Sequence, residues 1–146
     1  MKTVYTCFCT DVIHKGHINI INEASRLGKV VVGILCDREM IRYNRFPTRS
    51  TLERKKMIEA IPGVDRVIVQ ETIFYDEVFE KLHPDYIVHG DNWSEPGMEM
   101  IRNNILSLLN KFGGELIEIP YTIDPQIQKL DRQMIEKLSM PDFRRG

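Results

Sequence analysis

The chain has 146 residues and is 42% hydrophobic, enough for one folded domain with a sizeable core and too much for a disordered chain. Its 20 Lys and Arg stand against 21 Asp and Glu, a balance that argues against a broad nucleic-acid-coating surface but leaves room for a local site for a small anion. No apolar run approaches the length of a membrane span, MKTVYTCF lacks a signal-peptide pattern, and Cys7, Cys9 and Cys36 make an odd cysteine count; reduced thiols in a cytoplasmic protein are expected.

The first predicted element is a strand over residues 2–8, KTVYTCF. From His17 to Leu27 the apolar residues Ile18, Ile21, Ala24 and Leu27 recur at helical spacing, and Gly28 reads as the glycine that ends the helix. KVVVGILC, 29–36, is nearly continuous in apolar residues, as a strand covered on both faces of a parallel sheet should be. Thr51–Ile61 reads as a second helix, Val64–Val69 as a strand after a Pro-Gly turn, Asp76–Leu82 as a short helix and Asp85–His89 as a strand. A long helix is expected over 98–112, closed by Gly113 and Gly114, then a fifth strand, Glu115–Ile119. Strands alternating with helices predict an α/β domain: a Rossmann-like, five-stranded parallel sheet with helices on both faces, binding its ligand at the C-terminal ends of the strands. Residues 125–138 carry Ile127, Leu130, Met134 and Leu138 at helical spacing, an apolar stripe for the sheet or a partner.

The first strand-to-helix turn contains His14-Lys15-Gly16-His17. A helix starting there turns unpartnered backbone N–H groups and its positive end toward the ligand side of the sheet. Such a place attracts phosphate. Gly16 lets the backbone approach the ligand closely, and His14 and His17 can donate hydrogen bonds to phosphate oxygens. Two other readings stand beside this one. Zinc could be imagined on Cys7, Cys9, His14 and His17, although Cys7 and Cys9, two apart on a buried strand, lack the spaced second pair of a structural site. Alternatively, both histidines simply pack near a turn.

His14-Lys15-Gly16-His17 resembles the HxGH signature of the nucleotidyltransferase superfamily. Asp11 precedes it at the spacing of the cytidylyltransferases, Ser50 to Arg54 opens the second helix like their T-x-x-x-R segment, and His89-Gly90-Asp91-Asn92-Trp93 follows a strand like their GDDW or GDNW. KVVVGILCD, PGVDRVIVQET, LHPDYIVHGDNW and GGELIEIPYT look like the cytidylyltransferase domain joined to phosphoenolpyruvate mutase in phosphonate biosynthesis of the fosfomycin type. The closing MPDFRRG is similar to the linker into that mutase. The resemblance therefore implies a nucleotidyltransferase domain over 1–122, with a C-terminal helix and linker over 123–146 toward a fused mutase domain.

The implied activity is a CTP:phosphonate cytidylyltransferase. It would form CMP-2-hydroxyethylphosphonate or CMP-2-aminoethylphosphonate and release pyrophosphate, with Mg2+ sharing the charge and a homodimer as the expected assembly. His14, His17 and Arg54 would be the catalytic residues. Cys9, Thr10, Lys15, Gly16, His89, Asp91 and Trp93 would bind the nucleotide, and Arg42 and Arg45 would belong to a basic phosphate loop over 42–49. No side chain is implied as a protein metal ligand. Two departures stand out: Asn44 occupies the place of a loop lysine, and Tyr121-Thr122-Ile123-Asp124-Pro125 replaces a G-I-S-[ST]-T segment. They keep open a non-catalytic nucleotide-binding module, and a glycerol-3-phosphate-type cytidylyltransferase stands as a further alternative.

Overall fold

The computed structural model describes residues 1–9, 15–42, 47–91, 93 and 98–120. In chain order the elements are β1 (Thr3–Phe8), α1 (Lys15–Ser25), β2 (Lys29–Leu35), α2 (Asp37–Arg42), α3 (Thr51–Glu59), β3 (Val64–Gln70), α4 (Asp76–Leu82), β4 (Tyr86–Gly90), α5 (Met98–Phe112) and β5 (Glu115–Ile119). The expected helix over 125–138, like all of 121–146, lies outside the described residues.

The strands form one parallel sheet in the order β3-β2-β1-β4-β5. Alternation along each strand divides its side chains between two cores. Val4 and Phe8 of β1, with Val30, Val32 and Ile34 of β2, pack against Ile21 and Ala24 of α1 and Ile58 of α3. Tyr5 and Val31 turn the other way, toward Val78 and Phe79 of α4 and Ile105, Leu108 and Leu109 of α5. The all-apolar reading of 30–35 follows from this two-sided burial.

The ends of the elements have local causes. Ser50 caps α3: its hydroxyl accepts from the Glu53 N–H at 3.2 Å, and the Glu53 carboxylate accepts from the Ser50 N–H at 3.1 Å. Gly113, at φ 87°, closes α5, its N–H donating to Leu109 O at 2.8 Å. Gly28 differs from the expectation. It does not adopt a left-handed conformation; the chain passes so close to the Lys2 carbonyl that a Cβ there would lie 2.2 Å from its oxygen. The helix α2 has no counterpart in the sequence reading, which placed only an irregular basic loop after β2. Its Glu39 carboxylate, buried, accepts from the Ile73 N–H at 3.0 Å and ties α2 to the segment after β3.

Candidate active site

The chain builds β1, β2 and β3 outward on one side of the sheet, then returns to lay β4 and β5 on the other. The change of direction falls between β1 and β4, and in such sheets the crevice outside the strand ends at this point takes the ligand. The β1–β4 ladder pairs Val4 with Tyr86 and Tyr5 with Ile87 and then stops, although both strands run on. The crevice therefore has Phe8 and Cys9 on one side and His89 to Asp91 on the other.

Three candidate residues sit where α1 leaves the β1 side. Lys15 is its first residue and is exposed; Gly16 is buried. The His17 ring packs edge-on against Phe8, with centroids 4.6 Å apart and planes at 65°. The first turn of α1 holds no acidic residue, so its positive end keeps its attraction for anions. Thr10 and His14 lie outside the described residues.

At the β4 end, the His89 and Trp93 rings stack, with centroids 4.0 Å apart and planes at 23°. His89 Nδ1 is 2.7 Å from Gly90 O; a carbonyl only accepts, so Nδ1 carries the proton. The Trp93 indole N–H donates to Glu118 Oε2 at 2.7 Å, and Arg102 Nη2 donates to Glu118 Oε1 at 2.9 Å. The Arg102 guanidinium also lies 5.9 Å from the indole centroid. Arg102, then the Trp93 N–H, hold the Glu118 carboxyl below its usual range. Asp91 is exposed and its N–H donates to Ile119 O at 2.9 Å.

Arg54, expected as a catalytic residue, is held inside the protein. Its side chain is fully buried at the C-terminal end of β2. Nη1 donates to Leu35 O at 2.8 Å, and Nη2 donates to Asp37 Oδ1 and, at 3.4 Å, to Thr51 Oγ1. With no accessible surface, this guanidinium meets a ligand only if the packing around it opens. Arg42 ends α2 with its guanidinium exposed, 3.7 Å from the Glu39 carboxylate; Arg45 lies outside the described residues.

Cys7, Cys9 and Cys36 carry no disulfide. The hydrogen bond shared with Cys9, and then desolvation, push the Cys7 thiol well above its ordinary range, the opposite of an activated thiolate. Among the described residues no three His, Cys, Asp or Glu side chains converge as a metal-binding group. Magnesium arriving on a triphosphate takes most of its ligands from phosphate oxygens and water. Among the described residues Asp91 is an exposed carboxylate at the β4 side of the crevice, which fits that manner of binding. Glu118 and Arg102 were not among the sequence-predicted residues: ELIEI reads as a plain strand, and Arg102 as a charge on a helix surface.

A switch-point crevice, a first helical turn of α1 without acids and an imidazole packed on Phe8 are the features of an α/β domain suited to an anionic ligand. A family model described as cytidylyltransferase-like matches residues 5–129, and the chain belongs to that nucleotidyltransferase family. It is 32% identical over 126 residues to the bifunctional protein HldE of Desulfatibacillum aliphaticivorans, covering 84% of this chain and 25% of that protein. It is 36% identical over 95 residues to an ethanolamine-phosphate cytidylyltransferase of Arabidopsis thaliana, covering 61% and 23%. An FAD synthase of Thermococcus sibiricus is 29% identical over 135 residues, covering 88% and 86%. The chain thus spans about a quarter of the length of the first two relatives. A crystal structure of a lipopolysaccharide core biosynthesis protein from Thermoplasma volcanium GSS1 superposes with a TM-score of 0.71 at 24% identity, covering 84% of this chain and 99% of that one; the two share the fold. Among the described residues no helix is long and apolar enough to cross a membrane.

Proposed function

We propose that this domain transfers a cytidylyl group from CTP to a small phosphonate, 2-hydroxyethylphosphonate or 2-aminoethylphosphonate, and releases pyrophosphate. The observation that carries the reading is the start of α1: buried Gly16, His17 seated on Phe8, and a first turn without acids, all at the switch-point crevice. An oxygen of the acceptor attacks the α-phosphorus of CTP, and the bond from that phosphorus to the bridging oxygen of the β-phosphate breaks. No protein nucleophile takes part; positioning and electrostatic stabilisation carry such a transfer.

In this reading the backbone N–H groups of Lys15, Gly16 and His17 face phosphate oxygens, the His17 imidazole donates to the charge that builds on them, and His14 acts with it. Cys9 and Thr10 line the same phosphates, Lys15, Arg42 and Arg45 add positive charge, and His89, Asp91 and Trp93 bind the nucleoside. Bound magnesium would neutralise part of the triphosphate charge, with Asp91 an exposed carboxylate at the β4 side of the crevice. A fused mutase domain and a homodimer belong to the same reading.

The cytidylyltransferase named among the relatives supports the choice of CTP, and its phosphorylated amino alcohol is close in size and charge to a small phosphonate. The FAD synthase relative, matched over most of its length, favours a second reading in which ATP is the nucleotide. The test incubates the protein with magnesium and CTP or ATP, with 2-hydroxyethylphosphonate, 2-aminoethylphosphonate, ethanolamine phosphate or glycerol 3-phosphate, and identifies the product by mass. A CMP adduct of one phosphonate is expected. An adduct of glycerol 3-phosphate or ethanolamine phosphate alone would move the acceptor; an AMP adduct would move the nucleotide; nucleotide binding without any adduct would leave a non-catalytic module.

A further inference from the structure

His89 of β4 and Glu118 of β5 are direct partners in the parallel ladder, so their side chains leave the sheet on the same face. Leu116, two residues earlier on β5, packs into the apolar cluster under α5. Packing alone would continue that face with another apolar residue. A carboxylate stands there instead, and both of its oxygens are engaged: one by the Trp93 indole, the other by Arg102 of α5. Trp93 itself lies outside the strands and helices, between β4 and α5. The ring is fixed by the His89 stack on one side and the Glu118 hydrogen bond at its edge.

We propose that Glu118 and Arg102 are positioning residues of the nucleoside end of the site: Arg102 fixes the Glu118 carboxylate, which holds the Trp93 indole flat on His89 beside the crevice. The inference rests on the nucleotide-binding reading above. Its physical basis is preorganisation. A ring held in its bound orientation loses no freedom when a nucleoside docks against it, and a hydrogen bond to an ionised acceptor is among the stronger available for holding it. Arg102 has a second effect, since it offsets a negative charge that would otherwise face a polyanionic ligand at this end of the crevice.

The chain has a single tryptophan, so its fluorescence reports Trp93 alone. Three variants separate the contributions. Glu118→Leu removes charge and acceptor while restoring an apolar strand residue, Glu118→Gln keeps an acceptor oxygen but loses the charge, and Arg102→Met frees the carboxylate. Each is titrated with CTP, following Trp93 emission, and its thermal midpoint is measured alongside. The expected result is a shifted Trp93 emission and CTP binding weakened by about tenfold in Glu118→Leu, the size of one lost charge-assisted hydrogen bond, with the variant still folded at the titration temperature. Partial recovery of affinity is expected in Glu118→Gln and an intermediate loss in Arg102→Met. Unaltered CTP affinity in Glu118→Leu, with the unmodified protein responding to CTP, would overturn this inference alone. No response of the unmodified protein to either CTP or ATP would overturn the nucleotide reading and this inference with it.

Discussion

Arg54 and Asp37 form a charge pair in which the guanidinium is fully buried while the carboxylate side chain remains 41% exposed. The pair joins α3 to the first residue of α2, and the Arg54 bond to Leu35 O adds the end of β2 to the same knot. Desolvating a guanidinium is expensive, and removing one member of such a pair costs more than the intact pair contributes.

Arg54→Ala should therefore lower unfolding stability by about 3–5 kcal/mol, the range for broken buried pairs. Asp37→Asn should cost less, because Leu35 O and Thr51 Oγ1 still accept from the guanidinium. Arg54→Met should lie nearer to the unmodified protein than Arg54→Ala, since it fills the volume without leaving a cavity. Urea unfolding of the three variants checks the order. A change below about 1 kcal/mol in Arg54→Ala, the size of an exposed pair, would show that the brace is not structural.

Gly33 faces the α4–α5 side of the sheet beneath Tyr5, whose hydroxyl donates to Gln70 Oε1 at 2.6 Å. A Cβ on Gly33 would lie 1.7 Å from that hydroxyl oxygen and 2.6 Å from the ring carbon bearing it. Tyr5 has no exposed surface into which to retreat. Gly33→Ala should destabilise the protein by at least about 1–3 kcal/mol through overpacking and the lost buried hydrogen bond. A thermal midpoint equal to that of the unmodified protein would contradict this packing.

Two carboxylates give the protein an acid limit. Arg102 and the Trp93 N–H depress the Glu118 value, and hydrogen bonds from Ser50 depress that of Glu53. A carboxylate with a lowered folded pKa stabilises the fold fully above the ordinary glutamate value of about 4.3. That contribution disappears as pH falls through the lowered folded value, because the unfolded chain takes up the proton first. Stability should thus decline below about pH 4.3, and Glu118→Gln should flatten part of that decline. Urea midpoints at about pH 7 and about pH 3.5 measure it; an equal decline in Glu118→Gln would remove Glu118 as a contributor.

How far the sequence discloses this molecule depends on what sets each feature. The strands and long helices were legible because two-sided burial writes itself as an apolar run at 30–35 and as Ile105, Leu108 and Leu109 at helical spacing. The expected helix over Thr51–Ile61 starts where it was placed, and a capping box of Ser50 and Glu53 fixes that start by local chemistry. The helix α2 was not, because DREMIR is short and charged and its anchor, Glu39 to the Ile73 N–H, spans 34 residues. The burial of Arg54, expected as a catalytic residue, was hidden because its partners Leu35 O and Asp37 lie 19 and 17 residues away in the chain. Glu118 and Arg102 gave no signal because their roles arise only when strand register sets Glu118 beside His89. The proposed phosphate end rests on a glycine between two histidines close in sequence, whereas the side chains around Trp93 come from three separate segments.

The measurement closest to the central claim is pyrophosphate release with magnesium, CTP and each phosphonate, run on the unmodified protein and on His17→Ala, with circular dichroism to show that both are folded. His17 lies at the start of α1 on Phe8, where the transferring phosphates are expected. Acceptor-dependent release by the unmodified protein, reduced by about 100- to 1,000-fold in folded His17→Ala, is the expected result, the size of losing one donor aimed at developing charge. Equal rates in the two proteins would contradict the assignment of His17 and of the crevice at the start of α1.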